Sequence, residues 1–145
     1  MAKVGANVAI EEAASLLVVD DEPAVLKVTQ KILERRGYRV IACHTGEEAL
    51  AWLDREDFDV VVSDVQMPGM GGLGLLRAVR EHHAGVPVIL VTGNPNSETQ
   101  SVAVEHGVFQ YLAKPVNHEV LDEVVSDAAD SSRRSRRRLL MPRRL

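Results

Sequence analysis

The 145-residue chain has one cysteine, Cys43, which excludes any internal disulfide framework and suits a reducing compartment. No apolar run approaches the roughly 20 residues of a membrane span. The first residues lack the apolar stretch of a signal peptide, so the expected location is the cytoplasm, away from membranes. None of the five histidines forms the i, i+4 pair of a zinc helix, and no Ser or Cys catalytic triad is supported. The phosphate-binding loop that ends in Gly-Lys-Ser or Gly-Lys-Thr is absent too. Length and an ordinary hydrophobic fraction of 46% indicate one globular domain plus terminal material.

The net charge of −4 hides a division. All 21 acidic residues lie before Ser131, together with 10 of the 17 basic ones; the other seven, all arginines, follow it. The body thus carries −11 and the end of the chain +7. Three segments are expected: a flexible extension over 1–14, a folded domain over 15–130, and an Arg-rich tail or truncated linker over 131–145. The simplest reading of that tail is a solvated, frayed end. Clustered arginines can displace counterions from nucleic acid, but the segment has no interleaved aromatics, which argues against direct nucleic-acid binding.

Four short runs are almost wholly apolar: Leu16–Val19, Val40–Ala42, Val60–Val62 and Val88–Val91; Phe109–Ala113 is a weaker fifth. They are short, branched and non-alternating, the signature of strands covered on both faces. Helical spacing fills the gaps. Val25, Val28 and Ile32 follow Pro23, and Gly37 supplies a stop. Thr45 and Glu48 form a capping-box pattern ahead of Ala49, Leu50 and Leu53. Leu75, Leu76 and Val79 mark a third helix, Ser97–His106 a fourth, and Leu121, Val124, Val125 and Ala128 a fifth after Asn117. Five β-α repeats predict an α/β fold, a parallel sheet with helices on both faces.

Ligands of such sheets sit outside the carboxyl ends of the strands. There the chain delivers Asp20 and Asp21, then Asp64, then Thr92, then Lys114 followed by Pro115. Three carboxylates and one ammonium sum to −2. Like charges about 4 Å apart repel by roughly 4 kcal/mol at an effective dielectric of 20, and a divalent cation neutralises the cluster. Hard carboxylate oxygens select Mg²⁺. A cation beside a carboxylate, a hydroxyl and a lysine is the equipment of phosphoryl transfer. Gly69-Met70-Gly71-Gly72-Leu73-Gly74 satisfies the dinucleotide pattern literally, but it follows the third strand beside acids that repel a pyrophosphate. It reads as a turn. Cys43 and Trp52 read as packing residues.

In combination, LLVVDDE, VVVSDVQMPGMGG, VILVTGN and YLAKPV resemble the receiver domain of two-component response regulators, over about residues 15–130. The resemblance implies a flavodoxin-like, doubly wound five-stranded parallel sheet of order 2-1-3-4-5 with five helices. It implies Asp64 as phosphoacceptor, with Thr92 and Lys114 assisting. It implies Mg²⁺ held by Asp20, Asp21, Asp64 and the backbone carbonyl of Gln66. Thr92 and Tyr111 become the switch pair, the bond into Pro115 a cis peptide, and Gln66 and Asn94 residues that tune phosphoryl lifetime. The implied donor is a sensor histidine kinase or phosphotransfer protein. The implied readout is the face of the fourth helix, fifth strand and fifth helix, acting on an unknown output domain or partner, with phosphorylation-dependent homodimerisation as an option. Such a domain assists its own phosphorylation and dephosphorylation without being a turnover enzyme. Two alternatives are a non-phosphorylated receiver scaffold and a Mg²⁺-dependent phosphatase of haloacid-dehalogenase type. The latter calls for D-x-D after the first strand, where this chain has Asp20-Asp21-Glu22.

Overall fold

The computed structural model describes residues 13–140. Strands and helices alternate: β1 (Ser15–Val19), α1 (Pro23–Arg35), β2 (Arg39–Cys43), α2 (Gly46–Leu53), β3 (Val60–Asp64), α3 (Gly71–His82), β4 (Val88–Thr92), α4 (Ser97–Glu105), β5 (Gln110–Ala113) and α5 (His118–Leu140). All five strands are parallel and ordered β2-β1-β3-β4-β5, the doubly wound arrangement expected.

Two apolar layers flank the sheet. Leu16, Val18, Val60, Val62, Ile89 and Val91 face α1 and α5, meeting Leu26, Leu33, Leu121 and Val125. Leu17, Val19, Val61, Val88 and Leu90 face the other helices, meeting Ala49, Leu53, Leu75, Leu76, Val79 and Ala103. This two-sided burial is why the strands read as unbroken apolar runs. Truncating fully buried Leu33 or Leu75 to Ala costs about 2–5 kcal/mol. β5 lies at the sheet edge with partly exposed residues, which explains its weaker sequence signal.

Local chemistry sets the helix starts. Pro23 opens α1, where its missing N–H removes no helical bond. At α2, Thr45 Oγ1 accepts from Glu48 N at 3.0 Å, while Glu48 Oε1 accepts from His44 N at 2.9 Å, one residue before the cap. Asn96 caps α4 by accepting from Thr99 N at 2.8 Å. Cys43 is fully buried, and Trp52 packs beside the second layer with the Arg55 guanidinium 4.6 Å from its ring centroid.

Both expected ends of the folded domain shift. Residues 1–12 and 141–145, which carry most of the N-terminal extension and the end of the tail, lie outside the described residues. Ala14, placed in the extension by sequence, is buried, and its carbonyl accepts from Arg39 N at 2.9 Å. The boundary at Ser131 falls inside α5, which runs on to Leu140. Its buried stripe Leu121, Val125, Ala128, Ala129 continues to Ser132, and Arg133 and Arg136 pair with the buried Asp59 carboxylate. Arginine is a good helix former and is favoured at a helix C-terminus. Residues 131–140 are therefore helical, and the first of them are docked rather than frayed.

Candidate functional site at the carboxyl edge of the sheet

Strand order decides which loops meet. β1 pairs with β3 in the register Val18 with Val62 and Val19 with Ser63, so the next residues, Asp20 and Asp64, emerge side by side. β4 and β5 align Thr92 with Ala113, which sets Lys114 one step beyond. Backbone bonds fix these exits. Asp20 N donates to Cys43 O at 3.1 Å, Val65 N to Val91 O at 3.0 Å and Lys114 N to Thr92 O at 2.8 Å.

One ligand oxygen each from Asp20, Asp21 and Asp64 can lie within 4.8 Å of the others. Asp20 and Asp64 are buried, and Asp21 is the most exposed of the three. Lys114 reaches in from the far side, with Nζ 3.1 Å from Asp20 Oδ2 and 3.2 Å from Asp64 Oδ2. Burial alone lowers the Lys114 pKa, but the pairs with Asp20 and Asp64 outweigh it and hold the ammonium above its ordinary value. Asp20 also accepts from Glu22 N at 2.9 Å, and Asp64 Oδ1 from Gln66 N at 3.3 Å. Each carboxylate thus keeps one oxygen on a backbone amide and one on the lysine.

This donor set fits Mg²⁺. Opposite ligands of an octahedral ion at about 2.0–2.1 Å stand about 4.2 Å apart, so a small inward movement brings the three oxygens to coordination distance. All donors are hard oxygens, and Asp21 leaves an open side for water.

The remaining expected residues ring this centre. Thr92 is fully buried, and its Oγ1 accepts from Asn94 N at 3.0 Å. Gln66 and Asn94 are exposed on the two loops beside the acids. The Lys114–Pro115 bond is cis. Tyr111 is half-buried on β5, opposite Leu90 in register, and its hydroxyl is 2.6 Å from Thr99 Oγ1. The glycine-rich segment forms the β3–α3 turn, with Gly69 and Gly71 at φ of 80° and 67°. A Cβ on Gly72 would lie 2.2 Å from Asp64 O, so this glycine lets α3 start directly against the strand that ends in Asp64.

Sequence reasoning missed several residues. Thr99 joins the α4 cap to Tyr111; the Asn96-x-x-Thr99 spacing was its available signal. Glu47 accepts from Met70 N at 3.3 Å and steadies the glycine turn. Asp59 accepts from Ser15 N at 2.8 Å at the amino edge of the sheet. Nothing local distinguishes Asp59 from a loop acid, because its partners on β1 and α5 are remote.

Comparison with known proteins gives a consistent picture. The profile of the response regulator receiver domain matches residues 16–126. The transcriptional regulatory protein GlrR of Escherichia coli is 37% identical over 119 residues, which cover 82% of this chain and 27% of that protein. The two-component response regulator ARR14 of Arabidopsis thaliana is 39% identical over 111 residues, 75% of this chain and 29% of that protein. The chain therefore spans less than a third of the length of these relatives. Among solved structures, a CheY-like receiver domain from Methanospirillum hungatei superposes with a TM-score of 0.81 at 32% identity, covering 85% of this chain and 98% of that one. The chemotaxis response regulator CheY4 of Vibrio cholerae gives 0.74 at 31% identity, covering 80% and 98%.

Proposed function

We propose, since the chain belongs to the response regulator receiver domain family, that Asp64 accepts a phosphoryl group from a phosphohistidine of a sensor kinase or phosphotransfer protein. The observation that carries this reading is the convergence of Asp20, Asp21, Asp64 and Lys114 at one sheet edge. An Asp64 oxygen forms the new O–P bond, the N–P bond breaks, and the donor imidazole keeps its electron pair.

Asp20, Asp21 and Asp64, with the Gln66 carbonyl, would hold Mg²⁺, which supplies charge neutralisation for the carboxylates and the incoming phosphoryl oxygens. The chain's own groups do the rest. Lys114, already within 3.2 Å of Asp64, moves its ammonium onto a phosphoryl oxygen. Thr92 exchanges its Asn94 contact for a second phosphoryl oxygen. Tyr111 then follows the space that Thr92 vacates, and the α4–β5–α5 face changes. Gln66 and Asn94 flank the approach of hydrolytic water and set how long the phosphoryl group survives. The domain works in the cytoplasm on an output domain or partner, its folded unit reaching beyond 15–130 to include Ala14 and the docked start of the 131–140 segment of α5.

A small-molecule phosphodonor with Mg²⁺ is expected to add one phosphoryl group per chain, read by intact mass. Asp64→Asn is expected to add none. Labelling that persists in that variant moves the acceptor elsewhere.

A further inference from the structure

Helix α3 has little of its own to start it. Its first turn is Gly71-Gly72-Leu73-Gly74, and only proline is a poorer helix former than glycine. The preceding residue, Met70, makes no side-chain cap bond, and the first turn holds no acid. A capping box would place Glu or Gln at the position of Leu73, to accept from the Met70 amide. That bond comes from another helix instead. Glu47, in the first turn of α2, accepts from Met70 N at 3.3 Å across 23 positions. Helix α2 does not need Glu47 for its own start, which Thr45 and Glu48 complete.

The two helix starts are shaped to meet. A Cβ on Gly46 would lie 2.7 Å from Met70 Cγ, and one on Gly69 would lie 2.8 Å from Glu47 Oε2. Bare backbone at each position thus admits a side chain from the other helix. Among the described residues no other side chain is hydrogen-bonded to the tip Pro68-Gly69-Met70. The inner part of the segment is fixed separately: Gln66 N donates to Asp64 Oδ1 at 3.3 Å, and Gly72 N to Val65 O at 2.9 Å. We infer that Glu47 is a positioning residue for the phosphoacceptor site. By capping α3 from outside, it holds the turn that carries the Gln66 carbonyl, and so sets how tightly that carbonyl and the three acids hold Mg²⁺. This rests on the reading of Asp64 as the acceptor. Glu47 acts through the turn and takes no part in the coordination itself, its carboxylate being seated over Gly69 and on the Met70 amide.

Backbone ¹⁵N order parameters of the full chain without any divalent cation test the cap directly. Gly69 and Met70 are expected near the rigid value of about 0.85 in the wild type and below about 0.6 in Glu47→Ala, with the rest of the domain unchanged. Calorimetric titration with Mg²⁺ is expected to show about fivefold weaker binding in that variant, the worth of one net hydrogen bond. Phosphorylation by a small-molecule donor is expected to need about fivefold more Mg²⁺ for half its maximal rate, and to reach the wild-type rate at saturation. Glu47→Gln, whose amide oxygen still accepts, is expected to restore both order and affinity. A residue that merely stabilised the fold would lower the urea midpoint and leave the Mg²⁺ titration where it was. Unchanged order at Met70 in Glu47→Ala overturns the cap. Lost order with unchanged Mg²⁺ affinity overturns the positioning role, and a Gln variant as impaired as the Ala one overturns the hydrogen bond as its cause. A wild-type chain that takes up no Mg²⁺ overturns the acceptor reading and this proposal with it, a failure that the cation-free order parameters keep distinct from failure of the cap.

Discussion

Tyr111 on β5 and Thr99 in the first turn of α4 share a hydrogen bond of 2.6 Å between their hydroxyls. Thr99 Oγ1 also lies 3.1 Å from Asn96 Oδ1, the side chain that caps the helix. The aromatic ring is thereby tied to the start of α4, close to the loop after Thr92. Thr99→Val is expected to release the ring at a cost of about 1 kcal/mol, the usual net worth of one hydrogen bond. Tyr111 ring resonances in NMR check this. Unchanged resonances in the variant mean that the bond does not set the ring's position.

Lys114 is the only basic side chain paired with Asp20 and Asp64 among the described residues. Lys114→Ala leaves two buried carboxylates facing each other. Without Mg²⁺ at pH 7 the variant is expected to lose about 1–3 kcal/mol, less than a fully enclosed pair because the site opens to solvent. Saturating Mg²⁺ is expected to narrow the gap, since a bound cation supplies the missing positive charge. Denaturant titrations with and without the ion measure it. A gap that Mg²⁺ does not change excludes the carboxylates as its site.

Gly72→Ala tests how closely α3 must approach the acceptor strand. The added Cβ would meet Asp64 O at 2.2 Å and Val65 Cα at 2.8 Å, both backbone atoms that cannot swing aside. The expected loss is about 3 kcal/mol, at the upper end for overpacking, together with displacement of Asp64. A melting temperature within one or two degrees of wild type contradicts this contact.

Alkaline stability follows from two groups away from the site. Burial, aided by the bond and charge of Asp122, pushes the Tyr38 hydroxyl from 10.0 up to about 12. Burial, aided by Glu48, pushes the Cys43 thiol from 9.0 up to about 12. The folded chain holds both protons more tightly than the unfolded one. The stability this represents is complete below about pH 9 and is lost as pH rises toward about 12. Urea midpoints across that range are expected to fall, less steeply in Tyr38→Phe. Cys43 is expected to resist maleimide at pH 8 until the chain unfolds.

Much of the fold was legible because burial on two sides leaves a one-dimensional trace. Val60-Val61-Val62 and Val88-Ile89-Leu90-Val91 can be read as central strands without knowing their neighbours, and Thr45 with Glu48 marks a helix start within four residues. The acids and lysine at the strand ends were legible for the same reason, since each follows an apolar run directly. Thr99 and Asp59 were not. One gains its role from a ring twelve positions away, the other from an arginine 77 positions away, and neither distance leaves a local pattern.

The order of apolar runs and their polar endings determined a parallel α/β sheet and the residue types at its carboxyl edge, because local propensity and two-sided burial act over a few residues at a time. Only the tertiary structure decided that Asp20 and Asp64 lie side by side, that Lys114 spans both from 94 and 50 positions away, and that α5 continues past Ser131 against Asp59. Those outcomes depend on strand order and on charges meeting in a shared low-dielectric space, where pairing or its absence carries a free energy that no single segment of chain contains.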